Sequence, residues 1–202
     1  LEDVVRLFTS EGGKTIPKEL KIGSNIYVNE VGFEEKNIID YATELEKLFG
    51  TLKGWRKKAM TGGLKVILAS PKSFSGTAGG KYRSSEDALY IRATPAVLKR
   101  TRGTYGAIDY IIVHELGHRY QSKMRPKEDF DRAEWRTTDY SRTEGEAFAE
   151  LFALTNFGMN SPLIAAARPD VLVRFEKLMS GGAVPEDMPR ELPPHLQKLL
   201  GR

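Results

Sequence analysis

The chain changes its periodicity halfway along. Short apolar runs punctuated by glycine occupy the first half, and long segments of helical period fill the second. Residues 24–31 and 64–70 read as strands, the second buried and following a Gly62-Gly63 turn, and 81–92 reads as two short strands around a polar turn at Ser84–Asp87. Residues 33–49 carry Ile38, Tyr41, Ala42, Leu45 and Leu48 at helical spacing, with Gly50 as the stop. Longer helices are predicted over 105–123, 142–157 and 169–180, and a short one over 1–9, stopped by Gly12-Gly13. Residues 73–80 read as a flexible loop. This order predicts an α+β fold, with a small twisted mixed sheet backed by helices and then a helical C-terminal lobe.

At 202 residues, with 40% apolar and 29% charged side chains, the chain can bury a core of its own. A single domain is expected over residues 1–182. Residues 1–103 hold the sheet, 104–182 are helical, and 183–202 form a tail containing Pro185, Pro189, Pro193 and Pro194. No apolar run approaches the length of a membrane span. The absence of cysteine excludes disulfides, thiolate metal sites and a cysteine nucleophile, and leaves the compartment open. The chain starts at Leu1 without a signal-peptide pattern, which reads as a processed chain or an excised domain. Its localisation is left open.

The formal net charge is +4. Basic residues gather at Lys53, Arg56, Lys57 and Lys58, at Lys99, Arg100 and Arg102, and at Arg119, Lys123, Arg125 and Lys127. They read first as solvated faces, balanced by 27 acids. A surface for nucleic acid or an acidic protein is the sharper reading, and no nucleic-acid motif supports it.

The chemistry concentrates in residues 110–120, YIIVHELGHRY, where His114-Glu115-Leu116-Gly117-His118 is an HExxH motif. Histidines four apart on a helix stand one turn apart on the same face, so both imidazoles can reach one ion. Two imidazoles and a carboxylate with an open fourth position suit a single zinc ion. Glu115 is rotated about 100° from His114, beside the ion, where it can take a proton from water.

Such a pair needs a third protein ligand. His195, the remaining histidine, sits in the Pro-rich tail, where rigid placement is hard to argue. Residues 142–154, RTEGEAFAELFAL, offer better donors. Glu146 and Glu150 are four apart and share a face, whereas Glu144 is expected to point to solvent. Glu146 is assigned to the metal, and Glu150 to the second nitrogen of a ligand histidine.

HExxH followed by a glutamate on a later helix, with another acid four residues on, resembles the gluzincin pattern of thermolysin-like metallopeptidases. The sequence is more similar still to the anthrax lethal-factor-like branch. The glutamate helix there reads Tyr-x-Arg-Thr followed by Glu-x-Phe-Ala-Glu. This chain has Tyr140-Ser141-Arg142-Thr143 and Glu146-Ala147-Phe148-Ala149-Glu150. The likeness covers residues 110–154. Its Tyr-to-Glu spacing is one residue shorter than the pattern, and the interval from His118 to Glu146 is short. The peptidase repressors of phage and stress regulation share HExxH and a Glu-Ala-x-x-Phe-Ala helix.

The resemblance implies a zincin-like fold in which residues 1–182 form one metallopeptidase domain. It implies zinc held by His114, His118 and Glu146, Glu115 as general base, and Tyr140 steadying the oxyanion. The implied activity is endopeptidase hydrolysis of a protein or peptide substrate. An edge strand upstream of the motif helix would receive that substrate in extended form, and residues 79–92 are the candidate, with Gly80, Lys81 and Tyr82 at its start. Tyr90 reads as core, and Trp135 as either core or cleft lining. Two other functions are consistent with the sequence. One is a narrow-specificity processing or regulatory protease domain of a larger phage or toxin protein. The other is a catalytically degenerate basic module that binds nucleic acid or a protein partner.

Overall fold

The structure is a computed structural model that describes residues 5–11, 14–74, 79–93, 107–137, 143, 145–157 and 168–182. Six strands, Val5–Glu11 (β1), Lys14–Ile22 (β2), Asn25–Asn29 (β3), Lys65–Ala69 (β4), Gly80–Arg83 (β5) and Ala88–Arg92 (β6), form one sheet in the order β1-β2-β3-β4-β6-β5. β4 runs parallel to both β3 and β6, and the other neighbours are antiparallel. The α-helices among the described residues are Glu35–Gly50 (α1), Ala107–Met124 (α2), Glu146–Phe157 (α3) and Pro169–Met179 (α4). The architecture is thus mixed α and β around a mixed sheet, compatible with the α+β class. None of the described helices is long and apolar enough to cross a membrane.

The N-terminal helix expected over residues 1–9 is not formed, because Val5–Glu11 is a strand. Val5, Phe8 and Thr9 favour extended backbone. Glu11 pairs with Lys14, so two strands stand where a helix and its stop were expected, and Gly12 and Gly13 lie outside the described residues. β2 escaped the sequence reading because Pro17 interrupts it. The β1–β2 register shifts between Leu7 and Phe8, opposite Glu19 and Pro17, an irregularity of the kind that lets a strand tolerate proline.

The chain divides into two compact units, Leu1–Leu52 with Met60–Glu115, and Lys53–Ala59 with Leu116–Arg202. α2 is one continuous helix through that division.

In the sheet unit, β4 is the central strand, and Val66, Ile67, Leu68 and Ala69 are all buried, as expected of a strand covered on both faces. Ile67, Ala69, Ala88 and Tyr90 pack together on one face, with Val28 and Phe74 against them, which places Tyr90 in the core as expected. The opposite face carries Leu20, Tyr27, Val66, Leu68, Leu89 and Ile91, each 2% exposed or less. α1 buries its Ile38, Tyr41, Ala42, Leu45, Leu48 and Phe49 stripe and is tied to β3 through Glu46. The Glu46 carboxylate accepts from Tyr27 Oη at 2.5 Å and from Asn25 Nδ2 at 2.7 Å.

In the helical unit, α3 is buried almost all round, from Ala147 to Asn156. Rings of Trp55, Tyr120, Phe130, Phe148, Phe152 and Phe175 stack edge-to-face or tilted, with centroids 4.9–5.8 Å apart for the closest pairs. Trp135 joins this cluster at 1% exposure, so it is core and not cleft lining. Arg56 and Glu176, 2% and 3% exposed, form a buried ion pair that Thr155 completes.

Candidate metal centre

The motif falls near the middle of α2, seven residues in from Ala107. His114 is buried and His118 half-buried, one turn further on the same face. Glu146 is the first residue of α3. His114, His118 and Glu146 each offer one ligand atom, and these atoms all lie within 4.8 Å of one another. His118 Nε2 and Glu146 Oε2 are 3.2 Å apart. Two donors bound tetrahedrally at zinc distances sit about 3.3 Å apart, so this pair has the spacing of two ligands of one ion.

Gly117 explains how α3 comes so near. A Cβ on Gly117 would meet Ala149 Cα at 2.7 Å and Phe152 Cβ at 3.0 Å. The absence of a side chain lets the two helices touch backbone to backbone, which puts the start of α3 beside His118. An interior helix glycine costs about 1 kcal/mol against alanine, and a close packing contact is the compensation.

The approach to Glu146 is pinned from below. Gly145, at φ +80°, donates its N–H to Asp131 Oδ1 at 2.7 Å, and Glu146 N–H donates to Thr143 O at 3.2 Å. Asp131 belongs to the turn between α2 and α3, and Arg136 holds its backbone carbonyl at 3.2 Å. One turn into α3, Glu150 is buried at 3% exposure and accepts Thr137 Oγ1 at 3.1 Å. Asp131 and Thr137 were missed in the sequence, because nothing in a polar loop marks which acid or hydroxyl folds back onto a helix.

Glu115 is half-buried on the side of α2 that meets β5. Its Oε2 accepts the Tyr82 backbone N–H at 2.7 Å. A Cβ on Gly80 would lie 3.0 Å from Ile111 Cγ2 and 3.3 Å from Glu115 Cγ, so the glycine sets how closely β5 can lie over the helix. β5 is the outer strand at its end of the sheet, whereas β6, the other strand of residues 79–92, lies inside it between β4 and β5. Arg92 N–H donates to Gly79 O at 2.9 Å, so the rungs that bond to β6 fall on alternate residues 79, 81 and 83. The backbone of Lys81 is therefore turned into the sheet, while Gly80 and Tyr82 face outward. Glu115 takes the Tyr82 N–H, and Gly80 is the other outward-facing residue of this strand.

Tyr140, Glu144 and His195 lie outside the described residues. The fit of the donor set to a metal can be judged without them. Two imidazoles and one carboxylate, converging from two helices, match the ligand types of a zinc site with three protein donors. They lack the all-oxygen shell that calcium or magnesium prefers. Comparison with protein-family models, with curated proteins and with solved structures gives no match for this chain, so the site is read from its own geometry.

Proposed function

We propose that the chain is a zinc-dependent metallopeptidase of zincin-like fold, with His114, His118 and Glu146 holding one ion and Glu115 serving as general base. The observation that carries this reading is the convergence of three ligand atoms within 4.8 Å, two from one helix turn and one from the start of α3. A zinc ion held there supplies Lewis acidity, polarising a carbonyl and bringing the ionisation of water towards neutral pH.

The protein's own groups do the rest. Glu115 takes the proton of the attacking water and returns it to the departing amine. The Tyr82 N–H fixes one of its carboxylate oxygens, which leaves the other to handle the proton. The outward-facing backbone of β5 at Gly80 can hold an extended substrate by backbone pairing, which requires no particular side chain. In this reading Tyr140 donates its hydroxyl to the oxyanion, a contribution typically worth about 3–4 kcal/mol.

The test is a comparison of the parent with Glu115→Gln, in zinc content and in cleavage of a broad peptide library. The variant is expected to keep stoichiometric zinc and to lose about 10²–10⁴-fold in rate. Equal cleavage by both proteins would remove Glu115 from the mechanism. Zinc-free protein after gentle purification in zinc-containing buffer would remove the metal and favour a binding module.

A further inference from the structure

Two arginines from the charged clusters of the sequence are not on a solvated face. Arg56 and Arg119 are among the largest fully buried side chains of the described residues. Arg56 sits in Lys53–Ala59, a segment that lies between α1 and β4 in the chain yet belongs to the helical unit, with the second half of α2, α3 and α4. Most of it is the 3-10 helix Gly54–Met60. Burying a cation is costly unless its donors are engaged, and the rigid guanidinium fork can bridge several acceptors at once.

The segment is fastened to each of these helices. Arg119, the neighbour of His118 on α2, donates Nη1 to Ala59 O, and the Tyr120 and Trp55 rings meet with centroids 5.0 Å apart. Towards α3, Arg56 donates to Phe152 O at 3.4 Å and to Thr155 Oγ1, and Lys53 N–H donates to Asn156 Oδ1 at 3.2 Å. Towards α4, Trp55 Nε1 and Arg56 Nη1 donate to Glu176 Oε1 at 3.1 and 3.3 Å. The ties to α3 all fall in its second half, whereas Glu146 is its first residue. Ala149, the residue against Gly117, lies between them. Treated as a rod resting on that contact, α3 has an arm of about 4.5 Å to Glu146 and one of about 9 Å to Thr155. A tilt that moves Thr155 by about 1 Å moves Glu146 by about half as much. Metal–ligand distances hold to within about 0.2 Å, so that tilt would disturb a metal site.

We propose that Arg56 is a positioning residue for the metal centre. By bonding the far end of α3 to the 53–59 segment, which Arg119 bonds to α2, it sets the tilt of α3 on α2 and with it the spacing of Glu146 and His118. The inference rests on the metal reading above and adds to it a group that acts on the ligands through the helix and not by contact.

Two variants of the full chain test it. Arg56→Met/Glu176→Leu removes the Arg56 bonds to α3 without stranding a buried charge, and Thr155→Val removes one of those bonds while keeping the shape of the side chain. Zinc affinity is measured by competition with a chelator on the folded proteins, beside urea unfolding of the zinc-free forms. A dissociation constant measured on folded protein does not register a change in global stability, so a merely structural role would leave it unmoved. The double variant is expected to bind zinc about tenfold or more weakly, the loss typical when support for a ligand is removed, and Thr155→Val to shift the same way by less. Parent-like zinc affinity in the double variant, or in Thr155→Val should the double variant not fold, would overturn the proposal and leave the metal reading standing. A parent chain that takes up no zinc would overturn both.

Discussion

Gly117 and Ala149 meet with no room for a side chain between them, since a Cβ on the glycine would stand 2.7 Å from the Cα of the alanine. That contact sets the spacing of α2 and α3, and hence of His118 and Glu146. Gly117→Ala should gain up to about 1 kcal/mol of helix propensity and lose about 1–3 kcal/mol to overpacking against a backbone atom that cannot swing aside. A lower melting temperature and weaker zinc binding are expected together. Thermal melts with a zinc titration check this, and an unchanged zinc affinity would show that the contact does not govern the site.

Asp131 is joined to the proposed site through Gly145, the residue before Glu146. Asp131→Ala removes the acceptor that pins the start of α3, at 2.7 Å from Gly145 N. Losses of about 10–100-fold in metal affinity are typical when a group supporting a ligand is removed. Asp131→Asn keeps an acceptor oxygen and should recover most of that loss, whereas Glu146→Ala should not recover with any change at Asp131. Competition titrations against a zinc chelator distinguish these outcomes.

Zinc removal should be visible in stability as well as in activity. A ligand at about 100 times its dissociation constant stabilises the native state by about 2.7 kcal/mol. Chelation should therefore lower the melting temperature of the parent and leave that of Glu146→Ala nearly unmoved. Identical shifts in the two proteins would place the zinc elsewhere.

The Arg56–Glu176 pair is sealed, at 2% and 3% exposure. Arg56→Ala leaves the Glu176 carboxylate buried without its cation and should cost about 3–5 kcal/mol. Replacing both partners together, as Arg56→Met/Glu176→Leu, should be far milder and close to neutral, because it removes both desolvation penalties. Urea unfolding of the single and double variants measures the difference.

Tyr27 makes the sheet unit sensitive to alkali. Burial, reinforced by its hydrogen bond to the Glu46 carboxylate, pushes the phenol well above its ordinary value of 10.0. A pKa raised in the folded state stabilises fully below the unfolded value, and that contribution falls as pH climbs above it. The parent should lose stability from about pH 10 upward, and Tyr27→Phe should lose less over the same range. Denaturation midpoints at pH 8 and at about pH 11 provide the comparison.

Some of this was legible without coordinates. The strands at Asn25–Asn29, Lys65–Ala69 and Ala88–Arg92 and the helices α1, α2 and α4 follow from local periodicity, because each must bury one repeating set of apolar side chains. β1 and β2 were not legible. The Gly-Gly pair in the sequence fits a hairpin and a helix stop equally well, and the β1–β2 register is irregular where Leu7 and Phe8 face Glu19 and Pro17.

The chain's own order of residues determined that His114 and His118 stand on one helical face, since their separation of four residues is one turn of any α-helix. It likewise singled out Glu146 as the carboxylate to join them. Tertiary structure alone decided that they converge. That outcome depends on a bare backbone contact at Gly117 and on Asp131 folding back to Gly145, and it was tertiary structure too that set the Tyr82 N–H against Glu115. Such contacts join residues far apart in the chain through shape and single hydrogen bonds. They leave no periodic trace in the sequence, because only packing brings their atoms within reach.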